Sequence, residues 1–232
     1  MPSATIDHAQ FDSIPDTIAA FRNGDFIVVL DDPSRENEGD LIIAAANITT
    51  EQMAFMIRHT SGLICAPITP ALASSLDLPQ MVHASQDPRG TAYTVSIDAA
   101  DPSVTTGISA YDRALTCRVL ASPDAKSTDF RRPGHVFPLR ARPGGVRVRA
   151  GHTEAGTDFC RLAGLREAAV ISELVEDGEE VEGRATRSEP GMLRAEGCIK
   201  FARRWGLKVC TIEDLIAHIE KTEGKFESNG SS

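Results

Sequence analysis

Phe26-Ile27-Val28-Val29-Leu30-Asp31-Asp32-Pro33-Ser34-Arg35-Glu36-Asn37-Glu38-Gly39-Asp40-Leu41-Ile42-Ile43-Ala44-Ala45 is the stretch from which the rest of the chain is read. Two uninterrupted apolar runs flank a loop holding five acids and one arginine. Runs this short, bounded by turn formers, read as buried strands. Carboxylates crowded into one loop repel unless a divalent metal, an arginine or water holds them. Glu36, Glu38 and Asp40 are spaced by two, so in an extended segment all three project to one side. Such a trio suits one metal ligand plus a general acid/base pair. The competing reading is a solvated hairpin loop with Arg35 as local counter-ion.

Outward from this stretch, strand-like and helix-like segments alternate. Thr49 and Gln52 have capping-box spacing, with Met53, Met56 and Ile57 at helical intervals behind them. Thr69-Pro70 reads as an N-cap followed by proline at the first helical position. Tyr93, Val95 and Ile97 alternate with polar residues, as in a half-buried strand. Ser109 can cap a helix carrying Leu115, Val119 and Leu120. Val146 to Ala150 reads as a strand, and a helix with Phe159, Leu162 and Leu165 follows the Gly151-His152-Thr153 turn. Ala168 to Ile171 is a short buried strand ending at Ser172-Glu173. The charged stretch from Glu176 to Pro190 reads as a surface loop. Helical spacing resumes from Met192 to Trp205, with Gly206 as the terminating glycine. Leu207 to Cys210 is strand-like, and Thr211 caps a last helix through Ile219.

The pattern predicts an α/β fold, a mixed sheet flanked by helices in one compact domain, residues 1–220. Residues 221–232, which end in Ser-Asn-Gly-Ser-Ser, are expected to be a disordered tail. The alternation would permit a doubly wound sheet, but no dinucleotide fingerprint and no P-loop follows any strand. At 232 residues the chain can bury a substantial core. The balance of 24 basic against 33 acidic residues gives a net charge of −9, which argues against non-specific nucleic-acid binding. No stretch approaches the roughly 20 apolar residues a membrane span needs, and no secretory signal is visible. The five cysteines are odd in number, widely spaced and without a CxxC pair, which reads as reduced thiols in a cytoplasmic protein. Cys65 could border a site.

Beyond the acidic loop, four segments carry candidate chemistry. Arg149-Ala150-Gly151-His152-Thr153 leaves one element and opens a helix, whose N-terminal N–H groups favour anions. Arg149 can give charge-assisted bonds to phosphate, and His152 can take a metal through one ring nitrogen. A strand-to-helix turn with a surface histidine is the plainer alternative. His135 is framed by Pro133, Gly134 and Pro138 as if in a rigid turn, a candidate proton shuttle or a structural hydrogen-bonder. Thr105-Thr106-Gly107-Ile108-Ser109 is a hydroxyl-rich turn that caps a helix or bonds substrate oxygens. Glu173 ends an apolar strand, where partial desolvation favours proton transfer.

Five motifs in order, RENEGD (35–40), RHTSGLIC (58–65), TTGIS (105–109), RPGHVFPL (132–139) and RAGHTEA (149–155), resemble the 3,4-dihydroxy-2-butanone 4-phosphate synthase family, as does the closing VCTIEDLIAH (209–218). The resemblance runs from about Ile18 to Ile219. It implies a lyase of riboflavin biosynthesis that converts D-ribulose 5-phosphate to formate and L-3,4-dihydroxybutan-2-one 4-phosphate. By position it implies Glu36 and His152 as metal ligands for one or two divalent ions, magnesium or manganese. It implies substrate contacts from Arg35, Glu36, Asp40, Arg149, Ala150, Gly151, His152, Thr153 and Glu173. His135 and Glu173, with Glu38 and Asp40, are the candidate catalytic groups. It also implies a cytoplasmic homodimer with sites at the subunit interface, a sugar phosphate as small-molecule partner, and no nucleic acid or membrane. The chain ends where bifunctional relatives continue into a GTP cyclohydrolase II domain, so a monofunctional form is expected. The acidic loop from Glu176 to Met192 is longer than in compact bacterial relatives. A different metal-dependent sugar-phosphate enzyme, or a non-catalytic phosphate or metal sensor, would use similar residues. Formate release from ribulose 5-phosphate separates them.

Overall fold

The computed structural model describes residues 10–226. In chain order its elements are α1 (Ile14–Arg22), β1 (Ile27–Leu30), β2 (Gly39–Ala44), α2 (Thr50–His59), β3 (Cys65–Ile68), α3 (Pro70–Ser75), β4 (Ile97–Ala99), α4 (Ala110–Leu120), β5 (Phe130–Arg140) and α5 (His152–Leu162). There follow β6 (Ala169–Glu173), β7 (Val175–Glu176), β8 (Glu179–Glu180), β9 (Arg187–Ser188), β10 (Gly191–Met192), α6 (Ala195–Trp205), β11 (Lys208–Thr211) and α7 (Ile212–Glu223). Seven strands form one sheet in the order β11-β1-β2-β6-β3-β5-β4. It is mixed: β1 runs parallel to β11 and antiparallel to β2, and β3 runs parallel to β5 and antiparallel to β6.

Helices cover both faces, which is why the strands read as continuous apolar runs rather than alternating ones. Val28, Leu30, Leu41, Ile43 and Val170 point to one face, against Met53 and Met56 of α2 and Cys117 and Leu120 of α4. Ile27, Val29, Ile42, Ala44 and Ile171 point to the other, against Phe21 of α1, Phe159 of α5 and Leu215 of α7. The caps fall where local chemistry puts them. Thr49 and Gln52 form a reciprocal capping box, Thr69, Ser109 and Thr211 accept an N–H from their first turns, and Gly206 ends α6 in the left-handed region.

Several sequence expectations change. Val146 to Ala150 is not a strand; Gly145–Arg147 forms a 3-10 turn, and the Val146 N–H donates to the Asp158 carboxylate instead of to a neighbouring strand. Gly144 and Gly145, both at positive φ, turn the chain there. Only Ile97–Ala99 of the alternating stretch joins the sheet as β4; Tyr93 and Thr94 make isolated bridges. The helix expected from Met192 starts at Ala195, because Met192 pairs with Val175. Most of the 176–190 stretch is exposed, with the short β8–β9 ladder inside it. Residues 221–223, expected in the tail, belong to α7 instead, and Glu223 is tied back by Arg161 and Arg147. Residues 227–232 lie outside the described residues.

Candidate functional site

The parity of the strands builds the site. Asp40 lies on the same face of β2 as Ile42 and Ala44, and Glu173 on the same face of β6 as Ile171 and Ala169. The two acids are register partners across the β2–β6 ladder. Helix α5 packs over β2, β3 and β6, so its first residue, His152, arrives above them. Arg35, Glu36, Glu38, Asp40, Arg149, His152, Thr153 and Glu173 all line one cleft of about 200 Å³.

The loop between β1 and β2 is not extended. Asn37 takes a left-handed φ of 55°, so Glu36 and Glu38 reach the cleft through a turn, and Asp40 reaches it from β2. Asp31, 4% exposed, organises that turn. Its carboxylate accepts from the Glu38 N–H at 2.9 Å, the Glu36 N–H at 3.1 Å and Arg35 Nη1 at 2.9 Å. Arg35 Nη1 also reaches Glu36 at 2.5 Å. Burial disfavours the Arg35 charge, but Asp31 and Glu36 overcome this and raise its pKa. Arg194, the residue before α6, clamps the loop from outside by donating to the carbonyls of Glu36 and Asn37.

Two buried groups point at a cation. His152 Nε2 lies 3.0 Å from the Val29 carbonyl, which can only accept, so Nε2 carries the proton. Burial pushes the imidazole below its ordinary value, against the pull of Asp31 and Glu36. A neutral ring then leaves its Nδ1 lone pair free. Asp40 Oδ1 lies 3.4 Å from Nδ1 and makes no hydrogen bond at all, a buried orphan oxygen. Burial, then the charges of Glu173, Glu36, Asp31 and Glu38, push Asp40 well above the ordinary carboxylate value. Burial chiefly raises Glu38 as well, with Glu36 and Glu173 adding to it against Arg194. Excess negative charge, an orphan carboxylate oxygen and a free imidazole lone pair fit a hard divalent cation. Among the described residues no group of three or more His, Cys, Asp or Glu side chains is arranged to hold an ion alone.

The Arg149 guanidinium is held on each nitrogen: Nη1 by buried Glu154 at 2.5 Å, Nη2 by Thr91 Oγ1 and Nε by the Arg89 carbonyl. Gly151 caps α5, and a Cβ there would sit 2.4 Å from Arg149 Nη1. Ala150 faces away from this cleft, into a second hollow of about 420 Å³ beside α7 that no histidine, lysine or arginine lines. Glu173 Oε2 accepts from Ser61 Oγ at 2.7 Å. Cys65 does border the cleft, but burial and the nearby acids Glu173 and Asp40 raise its thiol strongly, which makes it inert.

His135 is not in this cleft. The Pro-Gly signal around it is realised inside β5 rather than as a reversal. Four residues, 132–135, bulge out where the ladder to β4 shifts from Ile97↔Val136 to Asp98↔Arg131. Gly134 fits because a Cβ there would fall 2.0 Å from the Ile97 backbone. The bulge aims His135 at Asp98, which accepts its N–H at 2.8 Å and lies 2.9 Å from Nδ1. Gly107, at φ 89°, closes against this pair, and the rest of the threonine turn wraps the Asp112 carboxylate. Sequence reasoning missed Asp31, Asp98, Glu154, Arg89 and Arg194. Asp31, the first acid after a strand, and Glu154, three residues into a helix, carried local signals; the other three gain their roles only through distant partners.

The family model for 3,4-dihydroxy-2-butanone 4-phosphate synthase matches residues 15–218. A synthase of that name from Pyricularia oryzae is 72% identical over 232 residues, all of both chains. One from Schizosaccharomyces pombe is 51% identical over 210 residues, 90% of this chain and 97% of the relative. A solved synthase structure in complex with two magnesium ions has a TM-score of 0.92 at 73% identity, covering 93% of this chain and all of that one.

Proposed function

The chain belongs to the 3,4-dihydroxy-2-butanone 4-phosphate synthase family of enzymes, and from that premise we propose that it converts D-ribulose 5-phosphate to formate and L-3,4-dihydroxybutan-2-one 4-phosphate for riboflavin biosynthesis. One observation carries the reading. Asp40 and Glu173, paired across two strands, share a cleft with Glu36, Glu38, His152 and Arg149.

Glu36 and His152 Nδ1 would hold the divalent ion; magnesium is the ion in the related structure, manganese is an alternative, and one or two ions per site are allowed. When bound, such an ion withdraws charge from the carbonyl and hydroxyl oxygens of the sugar. Asp40 and Glu38, which line the cleft beside Glu36 and His152, serve as the acid/base pair. Glu173, oriented by Ser61 and paired with Asp40 across the ladder, is a further proton-transfer group. Arg149, Thr153 and the N-terminus of α5 bind the phosphate, and that remote binding orients the reacting carbons. The acids are kept off one another by Asp31, Arg35 and Arg194, so the cleft retains its negative charge for the cation.

His135 joins the reaction through a homodimer with sites at the subunit interface. The exposure of its side chain, its fixed hydrogen bond to Asp98 and the 51% exposure of Ile108 beside Gly107 support this arrangement. The ligand is a small sugar phosphate, with no role for nucleic acid or membrane. Among the described residues no helix is long and apolar enough to cross a bilayer. The five buried free thiols support a cytoplasmic location.

Formate release from ribulose 5-phosphate, measured with and without a chelator, tests the reading. Glu36→Gln and His152→Ala should abolish turnover and weaken magnesium binding with the fold retained, and Arg149→Ala should chiefly raise KM. Normal turnover in either metal-site variant overturns the ligand assignment.

A further inference from the structure

Three arginines line the cleft, and two are anchored by carboxylates at hydrogen-bond distance. Arg35 serves Asp31 and Glu36; Arg149 serves Glu154, Thr91 and the Arg89 carbonyl. Arg89 is held more loosely. Its side chain is 41% exposed, it donates to the Arg35 carbonyl, and its Nε lies 3.5 Å from Glu36 Oε1. The segment that carries it, residues 87–91, is a small strap closed on itself. The Gly90 N–H donates to the Asp87 carbonyl at 3.0 Å, and the Thr91 N–H to the Asp87 carboxylate at 2.6 Å. One strap therefore supports Arg149 with a backbone carbonyl and a hydroxyl, and places a cation on Glu36 with a side chain.

We propose that Arg89 is a positioning residue that competes with the divalent ion for Glu36, and that metal binding releases its guanidinium to join Arg149 at the substrate phosphate. The proposal rests on the reading of Glu36 as a metal ligand. An exposed ion pair at this separation contributes little, so a divalent ion displaces it readily. The displaced guanidinium stays in the cleft, because the strap remains tied to Arg149. Its planar fork of donors matches phosphate oxygens that Arg149, with three of its five N–H donors already taken, serves incompletely. The metal and phosphate halves of the site thereby communicate through one residue.

Magnesium binding to the substrate-free protein, followed by titration calorimetry, tests this with Arg89→Ala, Arg89→Lys and Glu36→Gln. Inorganic phosphate is then titrated at saturating magnesium. Arg89→Ala should bind magnesium about two- to five-fold tighter, since an exposed competitor has gone, and bind phosphate roughly five-fold or more weakly. Arg89→Lys, which keeps the charge but not the planar fork, should return magnesium affinity toward wild type and phosphate affinity only in part. A merely structural role for Arg89 would weaken both ligands together. Unchanged or weaker magnesium binding in Arg89→Ala overturns the competition, and unchanged phosphate binding overturns the release. Glu36→Gln separates the two layers. If it binds magnesium as wild type does, the metal-ligand reading fails; if it loses magnesium while Arg89→Ala matches wild type, only the role of Arg89 fails.

Discussion

Replacing Asp31 by Asn should disable the metal loop while leaving its acids in place. The Asp31 carboxylate takes three donors: the Glu38 N–H on one oxygen, and the Glu36 N–H and Arg35 Nη1 on the other. Asparagine has one acceptor oxygen. Its better orientation keeps the Glu36 and Arg35 bonds and turns an NH2 against the Glu38 N–H; the other orientation loses two bonds. In a residue 4% exposed, water does not replace what is lost. A bond to a charged acceptor contributes about 1.5–3 kcal/mol, and an unsatisfied buried donor costs about 1–3 kcal/mol. The loop conformation should therefore weaken by roughly 2–4 kcal/mol. At 1.36 kcal/mol per decade, magnesium affinity would fall about 30- to 1000-fold if the whole cost reached Glu36. Arg194 also grips the Glu36 and Asn37 carbonyls, so the lower end is expected. Titration calorimetry reads the affinity, and hydrogen exchange reads the Glu36 and Glu38 amides, which should lose protection. Wild-type magnesium affinity with unchanged exchange at both amides would refute this account of how the loop is built.

Three further outcomes can be checked independently. Asp98→Asn should lower kcat by roughly 10²-fold or more with little change in KM, because it disturbs the proton on His135 Nδ1 and its orientation; a kcat within three-fold of wild type, read by formate release, would remove His135 from the proposed chemistry. Burial alone would raise Asp12, but the Val209 N–H, Lys208 and Arg203 overcome it and hold its carboxyl below the ordinary aspartate value. A carboxyl depressed in the folded state stabilises above its unfolded value, and that stability disappears as pH falls through the folded value. Asp12→Asn should thus cost roughly 1 kcal/mol near neutral pH, discounted for partial exposure, with the urea midpoints of the two proteins converging in acid. Burial raises the thiols of Cys117, Cys160 and Cys198 to about 12 and those of Cys65 and Cys210 still further. A thiol reagent at mildly alkaline pH should label all five only after denaturant is added; rapid labelling of the native protein would contradict that burial.

Local sequence was a good guide wherever an element depends on its own neighbours. The apolar runs before Asp31 and after Gly39 became β1 and β2 because a strand covered on both faces needs apolar residues at every position. The Thr49–Gln52 box, the Ser109 and Thr211 caps and Gly206 were readable because each satisfies backbone groups within one turn. The acidic loop and the 149–153 segment could be named as site material, since their charges had no evident local use. Local pattern failed where a distant partner decided the outcome. Val146 to Ala150 looks like a strand, but Asp158 takes the Val146 N–H and the Gly145 carbonyl takes those of Val148 and Arg149. The turn residues around His135 serve a bulge whose shape depends on Ile97 and Asp98.

What belongs to the amino-acid sequence alone is most of the helices and the buried strands, their caps, and an inventory of acids, arginines and histidines in motifs. What the tertiary structure decided is which of these meet. Asp40 faces Glu173 only because β2 and β6 pair in one register, and a slip of one residue would send Asp40 to the opposite face. His152 offers Nδ1 only because the Val29 carbonyl takes Nε2. A charge in a sequence has many possible partners, and burial beside one of them, set by sheet register and helix packing, selects its role.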